Sequence, residues 1–140
     1  MKIYRTSIEI SATVEQVWSA MTRGLQTDPI PFGILKIEGT LSLNGRIKLW
    51  SEVDPGRAFV LCVKTFQAPR KMVWQGGLPL GFFKGTRTFT LSPIGDKTTF
   101  DMEEVYGGVM SGLITRTIPD LNPSFEKFSK ALKERAERNE

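Results

Sequence analysis

The sequence contains no histidine and a single cysteine, Cys62. Without histidine there is no Ser-His-Asp triad, no Cys-His pair and no imidazole ligand for a metal. One thiol cannot form an intrachain disulfide. Together with the missing histidines it removes the common zinc and haem-thiolate ligand sets, so no metal and no cofactor is expected. Acid–base chemistry would fall to Asp, Glu, Lys, Tyr or ordered water. Long apolar runs are missing too: the longest, Ala58 to Val63, is far short of a bilayer span, and no integral membrane contact is expected. The opening residues Met1 to Arg5 lack the apolar stretch of a signal peptide. With a lone free thiol, this makes a reducing cytoplasmic setting the expectation.

What is present is typical of a globular chain: 140 residues, 40% hydrophobic and 24% charged, which excludes a disordered or fibrous protein. That length supports one domain over residues 1–140, burying its own core without staples. The net charge of +4 raises nucleic acid as a partner. The basic residues of the last helix, Lys127, Lys130, Lys133, Arg135 and Arg138, alternate with Glu126, Glu134, Glu137 and Glu140, as on a solvated helix face. No nucleic-acid partner is therefore expected.

Periodicity divides the chain into strand, helix, six strands and a long helix. Tyr4, Thr6, Ile8 and Ile10 alternate as one face of the first strand. Ser11 or Thr13 caps a short helix carrying Val14, Val17, Trp18 and Met21. Asp28 to Gly33 forms a loop with room for a second helical turn. Pro55-Gly56 and Ala68-Pro69 read as turns, as do the residues between Ser92 and Thr98. The glycine-rich Gly76 to Gly81 reads as a loop, and so does Gly107 to Gly112. Leu78, Leu80, Val109 and Met110 on these two loops would suit a lid over a pocket. A helical turn falls within Gly112 to Ile118. Asn122 with Pro123 reads as cap and first-turn proline of a helix that buries Phe125, Phe128 and Leu132.

Pairing follows from the turns. Across Ala68-Pro69, opposing Phe66 to Lys71 sets Val63 against Trp74 and Leu61 against Gly76. Opposing Leu91 to Phe100 sets Phe89 against Met102, Arg87 against Glu104 and Gly85 against Tyr106. A long antiparallel sheet with one apolar face must then curve around the final helix.

In order and spacing, the chain resembles the polyketide-cyclase/dehydrase branch of the SRPBCC superfamily, the START-like helix-grip proteins. The residues that carry the likeness are Ile8 to Trp18, Ile37 to Leu41 with Gly45-Arg46-Ile47, Trp74-Gln75-Gly76, Gly81 to Phe89, and Ala131 to Glu137. Two departures stand out: Asp28-Pro29-Ile30-Pro31-Phe32 replaces a tryptophan-rich segment, and Arg87 stands where similar sequences often carry histidine. The resemblance implies an α+β helix-grip fold. In it a curved seven-stranded antiparallel sheet wraps a long C-terminal helix, with one or two short helices between strands one and two. It also implies an internal cavity between sheet and helix for a small hydrophobic, aromatic, lipid- or polyketide-like ligand.

The residues expected to line that cavity are Trp74, Phe83, Arg87, Phe89, Met102, Glu104, Tyr106, Phe125 and Phe128. Arg87 and Glu104 are the sharpest, because a buried charge needs a partner and the register supplies one. Either the pair is structural, or Arg87 anchors a carboxylate, phenolate or ketone oxygen. Tyr106 could orient a ligand hydroxyl or serve as amphipathic core. Asp101 and Glu103 point outward, Asp28 reads as a turn or cap residue, and Cys62 as an inert half-buried thiol. Three readings stay open: a binding or carrier module; a polyketide cyclase or dehydratase without metal or histidine; and an interaction module of the chaperone-activator or ribosome-associated type. Trp50 on an outward face marks a candidate homodimer contact.

Overall fold

The computed structural model describes residues 1–78 and 81–139. It contains β1 (Lys2–Ile10), α1 (Val14–Thr27), a 3-10 turn at Ile30–Phe32, β2 (Ile34–Gly39), β3 (Arg46–Ser51), β4 (Asp54–Gln67), β5 (Lys71–Leu78), β6 (Phe83–Ile94), β7 (Lys97–Gly107), α2 (Ser111–Ile114) and α3 (Asn122–Glu137). The seven strands form one antiparallel sheet in the order β1-β7-β6-β5-β4-β3-β2. This is the helix-grip α+β arrangement.

Each element follows from its residues. Thr13 caps α1 through a reciprocal box, its hydroxyl accepting from the Gln16 amide while the Gln16 side chain accepts from the Thr13 amide. Val17, Met21 and Leu25 recur at helical spacing and are fully buried. Along β7, Thr98, Phe100, Met102 and Glu104 are buried at every second position, the strand period. Packing against this face, α3 buries Phe125, Phe128, Leu132 and Ala136. Phe128 sits at the centre, its ring 5.9 Å from Phe100, 5.8 Å from Phe89 and 4.9 Å from Phe32.

Four local expectations change. Gln67 opposes Lys71 and Phe66 opposes Met72, one step from the expected register; a bulge at Lys64 then restores Val63 against Trp74. The same bulge lets Phe66 join the inner face, where it packs on Trp18 at 5.3 Å. Asn122 is inside α3 rather than its cap; Leu121 caps in a helical conformation, and Asp120 accepts from the Asn122 amide. Pro55 and Gly56 belong to the start of β4, with the turn three residues earlier at Glu52–Val53. Gly76 to Leu78 continue β5 instead of forming a loop. Pro79, Leu80 and Glu140 lie outside the described residues, so the lid role of Leu80 and the helix-face role of Glu140 do too.

Candidate functional site

Cross-strand pairing sets Val63 beside Trp74, Trp74 beside Arg87, Arg87 beside Glu104, and Glu104 beside Tyr4. These residues form one row across five strands. Because side chains in register share a face, the row turns its tryptophan, ion pair and tyrosine together toward α3.

Arg87 and Glu104 meet as the expected register required. The Arg87 Nε and Nη2 atoms each stand 3.1 Å from Glu104 Oε1. Side-chain exposures of 21% and 10% make this the most enclosed ion pair among the described residues. The guanidinium also lies over the Phe125 ring, 4.9 Å from its centroid, which adds a cation–π contact at its back. Burial pushes the Glu104 carboxyl above the usual carboxylate range, and the Arg87 charge and hydrogen bond only partly oppose it.

Tyr106, one pair further along β7, opposes Gly85. Its ring stacks on Phe83, centroids 5.5 Å apart and planes within 13°. Tyr4 meets the same ring edge-on at 6.3 Å. A side chain on Gly85 would approach the Tyr106 ring to 3.1 Å, so the ring takes space that a glycine leaves free. Desolvation and the neighbouring Glu104 charge raise the Tyr106 pKa, which keeps the phenol a neutral hydrogen-bond donor.

At the other end of the row, Trp74 is buried to 1% and stacks edge-on against Phe89 at 4.7 Å. Its indole Nε1–H is buried and has no hydrogen-bond partner among the described residues. A buried, unmatched donor of this kind costs about 1–3 kcal/mol unless an acceptor arrives.

The nine expected residues therefore fall into two groups. Trp74, Phe89, Met102, Phe125 and Phe128 are core, each 2% exposed or less. Phe83, Arg87 and Tyr106 are partly exposed and gather with buried Glu104 at the open end of the row. Sequence reasoning named Trp74 for its ring but not for its unmatched N–H, which depends on what the fold leaves nearby. Of the remaining candidates, Asp28 ends α1 and faces Arg135 at 3.6 Å, and Glu103 pairs outward with Arg5. Cys62 is free and half-buried. Trp50 is half-buried on the outer face, between the ammonium groups of Lys36 and Lys48.

No group of three or more potential metal-ligating side chains occurs among the described residues. No helix there is long and apolar enough to cross a membrane.

The fold has well-matched structural neighbours. Protein MLL2253 from Mesorhizobium loti superimposes with a TM-score of 0.74 at 18% identity, covering 99% of both chains. Norcoclaurine synthase from Thalictrum flavum, in complex with dopamine and hydroxybenzaldehyde, gives 0.69 at 15% identity, over 95% of this chain and 84% of that one. The di-domain ARO/CYC StfQ from the steffimycin biosynthetic pathway gives 0.73 at 8% identity, over 97% of this chain and 51% of StfQ. Among curated proteins, nothing matches in sequence. These identities establish shared fold alone. The sequence itself matches one family profile across residues 1–137, and on that match the chain belongs to the polyketide cyclase / dehydrase and lipid transport family.

Proposed function

We propose that the chain acts as one domain that binds a small aromatic or otherwise apolar molecule bearing an acceptor oxygen. The molecule would enter at the Phe83–Tyr106 end of the row. The observation that carries this reading is the buried Trp74 N–H, without an acceptor among the described residues, one strand from the half-buried Arg87. A carbonyl, phenolate or carboxylate oxygen placed there would satisfy the indole and share Arg87 with Glu104. The aromatic walls then take the apolar body, and the Tyr106 hydroxyl supplies a further donor. Family membership supports a small-molecule ligand, and the dopamine and hydroxybenzaldehyde bound by norcoclaurine synthase are small aromatic molecules with acceptor oxygens, the class proposed here. We keep a reducing, cytoplasmic setting as part of the proposal on account of the free thiol.

A second reading draws on Glu104. A carboxyl held above its usual range beside an arginine and a neutral tyrosine has the makings of a general acid–base group, so turnover of a polyketide-like substrate is the alternative.

Native mass spectrometry of untreated protein, before and after organic extraction, tests the binding reading directly. A titration with 3-hydroxy-2-naphthoate, followed by tryptophan fluorescence, accompanies it. Saturable one-to-one binding is expected, weakened about 10-fold or more in Arg87→Gln, in keeping with loss of a charged hydrogen bond. A bare ion together with no saturable naphthoate binding overturns the proposal. Turnover of an aromatic poly-ketone that Glu104→Gln abolishes without loss of binding moves the assignment to the enzyme.

A further inference from the structure

The outer face of the sheet carries a second concavity that shares none of the polar groups of the inner row. Arg46, Lys64, Gln75 and Lys84 line an open groove of about 590 Å³ that ends at Leu78 and at Phe83, whose ring also borders the mouth of the inner site against Tyr106. Topology explains the convergence. Arg46 pairs with Cys62 and Cys62 with Gln75, which sets Arg46 and Gln75 on one outward row. Lys84 stands opposite Gly77, and Lys64 is the bulged residue between Val63 and Thr65. A side chain at Gly77, where φ is +137°, would run into the Phe83 carbonyl, so the floor of the groove stays bare backbone there.

The charges in this groove are unbalanced. Arg46, Lys64 and Lys84 are exposed, and none forms an ion pair among the described residues. The acidic side chains of the outer face lie outside the groove on β7, β1 and β2, where Arg5 holds Glu103 at 2.6 Å, Lys97 meets Glu9 at 3.3 Å and Lys36 meets Glu38 at 3.7 Å. Elsewhere on the surface, lysines do find carboxylates: Lys127 meets Glu52 at 2.8 Å and Lys133 meets Glu137 at 2.7 Å.

We propose that this groove binds a phosphate or pyrophosphate ester. One carboxylate would answer one of the three cations. A phosphate group offers several oxygens and more than one negative charge, so it can take the guanidinium fork and both ammonium groups together. Gln75 adds a neutral donor beside them. The apolar end, where Leu78 is 47% exposed, accommodates the organic part of the ester. The same chemistry is offered by a soluble phosphate ester and by a phospholipid headgroup.

The test uses ¹⁵N-labelled protein titrated with inorganic pyrophosphate at low and physiological ionic strength. In parallel, the protein is floated with phosphatidylcholine vesicles with and without phosphatidic acid. Expected are saturable shifts confined to the amides of Arg46, Lys64, Gln75, Gly77 and Lys84. Affinity should fall about 10-fold or more in Arg46→Gln/Lys64→Gln/Lys84→Gln and stay unchanged in the control Lys71→Gln. All four substituted residues are exposed, so the variants should keep the wild-type circular dichroism; Lys64→Gln/Lys84→Gln serves in place of any triple variant that does not. Pyrophosphate binding without vesicle binding identifies a soluble ester, and phosphatidic-acid-dependent flotation lost in the triple variant identifies a headgroup. Unsaturable shifts spread over all surface lysines, or binding in both arms indifferent to the triple variant, overturn the proposal, as does the absence of binding in both.

Discussion

Replacing Arg87 by methionine separates a self-compensating ion pair from a merely tolerated one. At 3.1 Å and an effective dielectric of about 20, the attraction between Arg87 and Glu104 is about 5 kcal/mol. Desolvation of two such charges opposes it by several kcal/mol each, so the intact pair contributes little net stability. Breaking it is another matter. Glu104 is 7% exposed, and without its guanidinium it stands as an unpaired buried carboxylate. Arg87→Met should therefore cost about 3–5 kcal/mol at neutral pH, toward the lower figure because the arginine keeps some contact with water. Adding Glu104→Leu should return the double variant to wild-type stability or above it, because the buried charge is then gone. The pH dependence carries the decisive sign. Burial already holds the Glu104 carboxyl above 4.5, its ordinary value, and Arg87 is what restrains the rise. In Arg87→Met the folded-state value climbs further, so the folded protein binds the proton more tightly than the unfolded chain. Stability of that variant is then full below the ordinary carboxylate range and is lost as pH rises through the raised folded value. Urea unfolding followed by tryptophan fluorescence, run from mildly acidic to mildly alkaline buffer, reads both effects. A deficit in Arg87→Met that is the same at every pH, or a double variant less stable than the single one, would refute the reasoning.

Other expectations are smaller and local. Thr13→Ala removes half of the capping box of α1 and should lower stability by about 1 kcal/mol in chemical denaturation. Gly77→Ala sets a side chain against the Phe83 carbonyl at a positive φ and should lose more than about 1 kcal/mol, visible as a drop in Tm. Thr98→Val deletes the fully buried hydroxyl that donates to the Ala12 carbonyl at 2.8 Å, for a loss of about 1–2 kcal/mol. Trp74→Phe removes an unmatched donor along with ring volume. The two effects oppose, so its stability cost should fall below the 3–5 kcal/mol typical of a buried tryptophan cut to alanine, while naphthoate binding weakens.

The β6–β7 register was legible because opposing Leu91 to Phe100 keeps Leu91, Phe89 and Arg87 together on the inner face; the strands then run further than expected, to Ile94 and Lys97, and close at Gly95 and Asp96. That register sets Arg87 against Glu104 from sequence alone. The β4–β5 hairpin was not legible in the same way. Its apolar positions fit two alignments near the turn, and only the bulge at Lys64 reconciles Phe66 and Val63 on one side. Asn122-Pro123 carries a strong capping signal, yet the chain enters α3 already helical at Leu121, with Asp120 bonding the Asn122 amide. The unmatched Trp74 N–H left no trace in the sequence, because an orphaned donor is defined by what the folded chain fails to bring near it. The outer groove did leave one: Arg46, Lys64 and Lys84 all occupy outward positions beside Gly77, but their convergence depends on pairing across four strands.

The place of β1 has a consequence for the order in which the molecule assembles. As an edge strand it pairs only with β7, and it lies against α3; Arg5 and Glu103 are 98 positions apart, and Thr6 reaches Ser129 across 123. While the chain is being synthesised, Tyr4, Ile8 and Ile10 emerge long before the strand and helix that cover them. Contacts of such separation slow folding, and during synthesis β1 cannot dock until β7 and α3 have been made. Until then its apolar face is open to any other strand edge nearby, which makes this segment the point where a stalled or shortened chain would begin to aggregate.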